Sequence, residues 1–241
     1  PTFNDLYYTD MGNAYLKPEL AKQHSAGLSF VQPFRLADLR GSEFRLNADY
    51  YYNRISDKII AYPKGQQFRW TMLNLGLVKI NGLDVNTQLH FVLPKDFYLT
   101  TKLQYTYQTA IDVTDPNDNY YGHQIPYIPW HSGSAVGMFG WSNEWMQYHL
   151  NYSFIYVGER YNQQENILYN YTQPWYTHDL SVYGEWDIYK VKCESVEVKG
   201  KKLFTLRVAL DVNNLLSQDY DVILNYPMPK RNYKCTISIT Y

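Results

Sequence analysis

The chain has 241 residues, with 22 basic side chains against 23 acidic ones and a net charge of −1, so it carries no basic field of the kind that attracts nucleic acid or anionic lipid. Its mean hydropathy is negative, and no run approaches the roughly 18 unbroken apolar residues of a membrane helix. Tyrosine is in excess, with 26 Tyr beside 6 Trp, and such amphipathic rings suit bilayer interfaces and loops that grip ligands.

Alternation of apolar and polar residues predicts nine strands, each with one greasy face and one wet face. Over 23–31, Ala26, Leu28 and Phe30 oppose Ser25, Gly27 and Ser29. Over 43–53, Phe44, Leu46, Ala48, Tyr50 and Tyr52 oppose Arg45, Asn47, Asp49, Tyr51 and Asn53. A third segment, starting near Phe68, sets Leu83, Val85, Leu89 and Phe91 against Asp84, Asn86, Gln88 and His90. The fourth, 96–111, sets Phe97, Leu99, Leu103, Tyr105, Tyr107 and Ile111 against Lys102, Gln104, Thr106 and Gln108. The fifth, 130–140, is Gly-rich and leaves its phase open. In the sixth, Met146, Tyr148, Leu150, Tyr152, Phe154 and Tyr156 oppose Gln147, His149, Asn151 and Ser153. The seventh sets Leu180, Val182, Trp186 and Ile188 against Asp179, Ser181, Glu185 and Asp187. The eighth sets Phe204, Leu206, Val208, Leu210 and Val212 against Thr205, Arg207, Asp211 and Asn213. The ninth sets Tyr233, Cys235, Ile237, Ile239 and Tyr241 against Lys234, Thr236, Ser238 and Thr240.

Charge confined to one face is what a transmembrane β-barrel requires, since Arg or Lys facing mid-bilayer lipid costs about 2 to 4 kcal/mol. A secreted β-sandwich would also charge its solvent side, so alternation leaves both architectures open. Connector lengths separate them. The turns at 93–96 and 141–144 are tight, whereas 113–128, 159–176 and 214–232 are long and rich in Tyr, Asn and Asp. In an outer-membrane barrel the short turns are periplasmic and the long loops extracellular. The connectors 34–41 and 191–201 run near ten residues each where short turns are expected. Nine strands is an odd number, and barrels close on an even count, so 1–241 is expected to be the C-terminal part of one larger barrel domain. Cys193, in a predicted turn, and Cys235, on an outward face, are not expected to bond.

Several segments resemble those of TonB-dependent outer-membrane receptors, in family order. Gly12-Asn13-Ala14-Tyr15-Leu16-Lys17-Pro18-Glu19, after the aromatic stretch ending at Tyr7-Tyr8, is similar to the family's Gly-Asn-x-x-Leu-x-Pro-Glu, in a wording nearest to receptors of the Bacteroidetes. Tyr50 to Ile59, Asn74-Leu75-Gly76, Ile80-Asn81-Gly82-Leu83-Asp84 and Ile125-Pro126-Tyr127-Ile128-Pro129 follow. Val212-Asn213-Asn214-Leu215-Leu216, Tyr220 and Tyr226 to Tyr233 resemble the closing pattern, and Tyr241 stands where a terminal aromatic assembly signal belongs. Lys230, Asp84, Trp130 and Tyr241 depart from the usual Gly, Glu, Arg and Phe.

The resemblance implies an all-β barrel of about 22 strands filled by an N-terminal plug, which lies outside this chain. It implies binding of a large, scarce solute, such as an iron-siderophore, haem or a corrinoid such as cobalamin, and import driven by a TonB complex acting on the plug. The alternatives are a passive porin, a carbohydrate importer working with a surface lipoprotein, and a secreted β-sandwich adhesin.

No enzymatic chemistry, metal site or cofactor is expected. Asp179, Glu185 and Asp187 alternate on one face as a glycosidase pair might, but a hydrated wall presents the same residues. The six histidines lack metal-ligand spacing, and His90 and His149 are expected to face the lumen. Ligand contact is expected on the aromatic outer loops: Tyr7 and Tyr8; Asn119, Tyr120, Tyr121 and His123; Arg160, Tyr161 and Asn162; and Trp175 with Tyr176.

Overall fold

The computed structural model describes residues 1–34, 41–64, 69–190 and 201–241. The connectors 35–40 and 191–200, and with them Cys193, lie outside the described residues. A short helix, α1 (Phe3–Tyr7), opens the chain; Thr2 accepts from the Asp5 backbone N–H while the Asp5 carboxylate accepts from that of Thr2.

The strands follow as β1 (Leu20–Pro33), β2 (Glu43–Lys64), β3 (Arg69–Leu93), β4 (Phe97–Asp112), β5 (His131–Ser142), β6 (Met146–Val157), β7 (Arg160–Tyr161), β8 (Tyr171–Thr172), β9 (Trp175–Lys190), β10 (Lys201–Asn213), β11 (Asp221–Ile223), β12 (Tyr226–Pro227) and β13 (Asn232–Thr240). Nine of them form one antiparallel sheet in the order β1-β2-β3-β4-β5-β6-β9-β10-β13, so each long strand pairs with the next long strand along the chain. β7 with β8 and β11 with β12 are small hairpins inside the long loops. All nine strands expected from alternation are present.

Register carries the apolar face unbroken across the sheet. Leu28, Ala48, Val85, Tyr105, Gly133, Tyr156 and Tyr176 form one cross-strand row, and Leu99, Phe139, Leu150, Val182, Leu210 and Cys235 another. β5 therefore points His131, Ala135, Phe139 and Trp141 outward, a phase its sequence left open because glycine at 133, 137 and 140 carries no side chain to mark a face. At each end of the apolar face the rings gather. Phe97, Trp141, Tyr148 and Trp186 pack together toward the short turns. Tyr105, Tyr107 and His131, and Tyr152, Phe154, Tyr176 and His178, do so toward the long loops. Leu103, Leu150, Val182 and Leu210 lie between and are exposed, which is the pattern of two aromatic girdles around a lipid-facing band.

The opposite face is polar, and several of its groups pair across neighbouring strands. Thr106 donates to Asp84 at 2.6 Å, Ser181 to Asp211 at 2.5 Å and Thr205 to Asp187 at 2.7 Å, each across neighbouring strands. Glu185 pairs with Arg207, whose guanidinium sits 4.2 Å over the Tyr183 ring. His149 stacks on Tyr183 at 4.3 Å and is hydrogen-bonded through Nδ1 to the Tyr98 hydroxyl at 2.6 Å. A Cβ at Gly140 would fall 2.3 Å from the Tyr98 ring, so a side chain there would displace that ring.

β2 and β3 run for 22 and 25 residues, about twice what a tilted strand needs to cross a bilayer, so their hairpin stands beyond the membrane. Beyond Asn53 the outward face turns polar, with Arg54 paired to Lys79, and past Asp57, which adopts φ 53°, the facing reverses: Leu75 and Val78, an odd and an even position of one strand, are buried in the same cluster. That cluster joins Ile55, Leu75, Val78, Ile80 and Ala110 with Ile125 of the β4–β5 loop, which therefore folds back over the polar face at its long-loop end.

Candidate ligand-binding site

The motif residues near the start of the chain act as clasps. Asn13 Nδ2 donates to the Met72 carbonyl, while Asn74 accepts from the Lys17 N–H and donates to the Lys17 and Asp57 carbonyls. Glu19 pairs with Lys58 at 2.9 Å and accepts from the Ile59 N–H. The segment 13–19 is thereby laid against the β2–β3 hairpin. Tyr7 and Tyr8 stand at the end of α1, both more than half exposed and apart from the other candidates.

The β4–β5 loop and the β6–β9 loop are locked together. Gln124, 1% exposed, accepts from the Ala110 N–H and donates to the Gln108 and Ile128 carbonyls; its own N–H donates to Asn166 Oδ1 at 2.6 Å, and Asn166 Nδ2 returns to the Gln124 carbonyl. His123 Nδ1 meets the Gln164 carbonyl and the Asn166 N–H in the same bracket. Tyr121 is exposed at the tip of this loop, Asn119 is exposed and Tyr120 half-buried.

Arg160, just beyond β6, is 2% exposed. It donates through Nη2 to the Asp221 and Val222 carbonyls at 2.9 and 3.1 Å and through Nη1 to the Gln173 carbonyl at 3.4 Å, tying the β6–β9 loop to the β10–β13 loop. Burial lowers its pKa from the ordinary arginine value, with the neighbouring Tyr127 phenol acting in the opposite direction. Beside it, the Tyr127 N–H donates to the Tyr161 carbonyl at 2.7 Å. Tyr127 holds φ 61°, a strained conformation for a bulky side chain between two prolines, and burial raises its phenol pKa. Asn162 is buried, its N–H donating to the Asn170 carbonyl.

A cavity of about 370 Å³ opens among these groups, lined by Trp70, Pro126, Tyr127, Arg160, Trp175 and Val222. Trp175 also borders a neighbouring cavity of about 330 Å³ with Thr172, Gln173 and Tyr220, and its ring stacks on Tyr220 at 4.5 Å. Rigid aromatic walls with a few polar groups are suited to a large solute that is part apolar. Four separate loops and hairpins contribute, so the cavity exists only when they are folded together.

Of the residues expected from sequence, Arg160 and Trp175 line this cavity, with Tyr161, Asn162 and His123 supporting the loops that frame it. Asn119, Tyr120 and Tyr121 sit in the adjoining loop; Tyr7 and Tyr8 stand apart. Tyr176 lies on the outward face of the sheet, paired with Tyr156. Tyr241 is exposed just past β13, its ring against Phe204. Trp70, Tyr127 and Tyr220 also line these cavities; two belong to quoted motifs, but only the fold brings them beside Arg160 and Trp175. The carboxylates considered for catalysis are engaged in the wall: Asp179 accepts from the Asn214 N–H at 2.7 Å, Glu185 from Arg207 and Asp187 from Thr205. Cys235 is exposed on the outward face of the sheet, as expected.

Comparison with known proteins agrees with this architecture. The chain is 36% identical over 85 residues, 35% of its length and 12% of the relative's, to the vitamin B12 transporter BtuB of Vibrio vulnificus. It is 25% identical over 251 aligned residues, 100% of its length and 33% of the relative's, to the BtuB of Photobacterium profundum. It thus spans a third or less of the curated relatives it matches. Among solved structures it resembles BauA, the ferric preacinetobactin receptor of Acinetobacter baumannii (TM-score 0.59, 15% identity, 92% of this chain and 29% of that one). It also resembles the copper transporter OprC (TM-score 0.58, 14% identity, 98% and 34%). Residues 1–215 match the family model described as TonB dependent receptor-like, beta-barrel. The chain belongs to that family of outer-membrane β-barrel receptors and transporters.

Proposed function

We propose that residues 1–241 are the C-terminal part of a single receptor barrel that binds a large, scarce solute at the cell surface and imports it with force supplied by a TonB complex through a plug outside this chain. A corrinoid such as cobalamin is the first candidate solute, and a ferric chelate or haem the second. The observation that carries the reading is the alignment of the entire chain with a curated vitamin B12 transporter, on top of the family match over 1–215. The cavity among Trp70, Tyr127, Arg160 and Trp175 supports it, because it lies at the long-loop end where a surface ligand arrives.

The test is uptake by the full-length protein in a host lacking its own corrinoid receptor. Expression should restore accumulation of labelled cyanocobalamin, and deletion of the host's TonB should abolish it. Accumulation of a ferric chelate instead moves the solute to the second class. Uptake that is indifferent to TonB selects a passive porin and overturns the reading.

A further inference from the structure

Arg160 carries a buried positive charge that no carboxylate among the described residues answers; its only partners are three carbonyls. A guanidinium has five N–H donors, and these carbonyls take three of them. A buried cation ordinarily needs a counter-charge, because carbonyl dipoles replace only part of the lost hydration. Two further groups beside it are short of partners: the Trp175 indole N–H and the Thr172 hydroxyl are both buried without a hydrogen bond. Thr172 is 8% exposed, and Trp175 borders both cavities. Trp175 stands between the cavity lined by Arg160 and the one lined by Thr172, while the Asp221 carboxylate on the β10–β13 loop accepts from the Asn225 N–H.

We infer that the Arg160 cavity is a subsite for an anionic group, a carboxylate or a phosphate, carried by a solute whose apolar part lies against Trp70, Tyr127 and Trp175. The anion completes the guanidinium's donor set and accepts from the Trp175 indole. Neutral solutes of the same shape leave the charge unanswered and bind more weakly. The inference rests on the import reading for calling the occupant a transported solute, but anion binding can be measured without transport.

The experiment is calorimetric titration of the detergent-solubilised full-length receptor with citrate and, separately, pyrophosphate, at constant ionic strength. The two probes distinguish a carboxylate from a phosphate site. Saturable binding of at least one is expected, weakened about tenfold or more by Arg160→Gln, as befits the loss of a charge-assisted bond. Arg207→Gln, on the polar wall, should leave it unchanged. Trp175→Phe keeps the ring and removes the N–H, and should weaken binding severalfold. Heat-modifiable gel mobility checks folding of each variant. If Arg160→Gln does not fold, Trp175→Phe decides. No binding to the wild type, or wild-type affinity in the variant that decides, overturns the inference whatever the outcome of the uptake assay.

Discussion

Asn214 shows how one side chain can fix a loop. It is 4% exposed, holds φ 51°, and satisfies itself by donating to the Gln218 and Pro229 carbonyls and accepting from the Gln218 N–H. Asparagine tolerates the left-handed region better than most residues, and its amide here stands in for water at three backbone groups. Asn214→Ala should destabilise the β10–β13 loop by about 2 kcal/mol, since it strands those groups and strains the backbone. Asn214→Gly should lose the bonds but relieve the strain. Limited proteolysis of the full-length receptor between 214 and 232 reads both, and equal cutting of wild type and Asn214→Ala would sink the account. The Asn-Asn-Leu-Leu motif announced this asparagine in the sequence, but not its work. The Asp179 carboxylate that takes its N–H comes 35 residues earlier, and Arg160 finds its acceptors 61 and 62 residues later. Such partners cannot be read from local pattern.

At the scale of a strand, the decisive property is that successive side chains meet two different solvents. Leu103 and Gln104 are neighbours in β4, yet Leu103 pairs with Thr87 and Ala135 on the apolar face and Gln104 with Asn86 and Ser134 on the polar one. Leu103→Arg should therefore cost about 2 to 4 kcal/mol in folding of the receptor into lipid vesicles, while Gln104→Arg costs little. Urea-dependent folding in vesicles measures both, and equal costs would remove the lipid from the apolar face. Alternation was legible wherever side chains differ in polarity, which is why eight phases could be read directly. It failed at β5, where glycines carry no mark, and beyond Asn53, where the outward face turns polar at Arg54 and the backbone at Asp57 then exchanges the faces. Both failures are local losses of the period-two signal rather than departures from the architecture.

For the molecule as a whole, the long loops form one body instead of separate tethers. Gln124 and Asn166 join the β4–β5 loop to the β6–β9 loop, Tyr127 joins the first to Tyr161 of the second, and Arg160 joins the second to the β10–β13 loop. The candidate cavity lies inside this chain of links, so its shape depends on all three loops at once. Sequence composition could nominate the aromatic residues of each loop, but the site is a property of their junction. Gln124→Ala removes the amide that fills the first junction and leaves the Ala110 N–H and two carbonyls without partners. Each such orphan costs roughly 1 to 3 kcal/mol, enough to open the junction locally while the strand ladders persist. Hydrogen exchange of the full-length receptor should then quicken in 113–130 and in 159–174 together, with β4, β6 and β9 unchanged. Faster exchange confined to 113–130 would mean that the loops move independently, and that the cavity between them is not held by this lock.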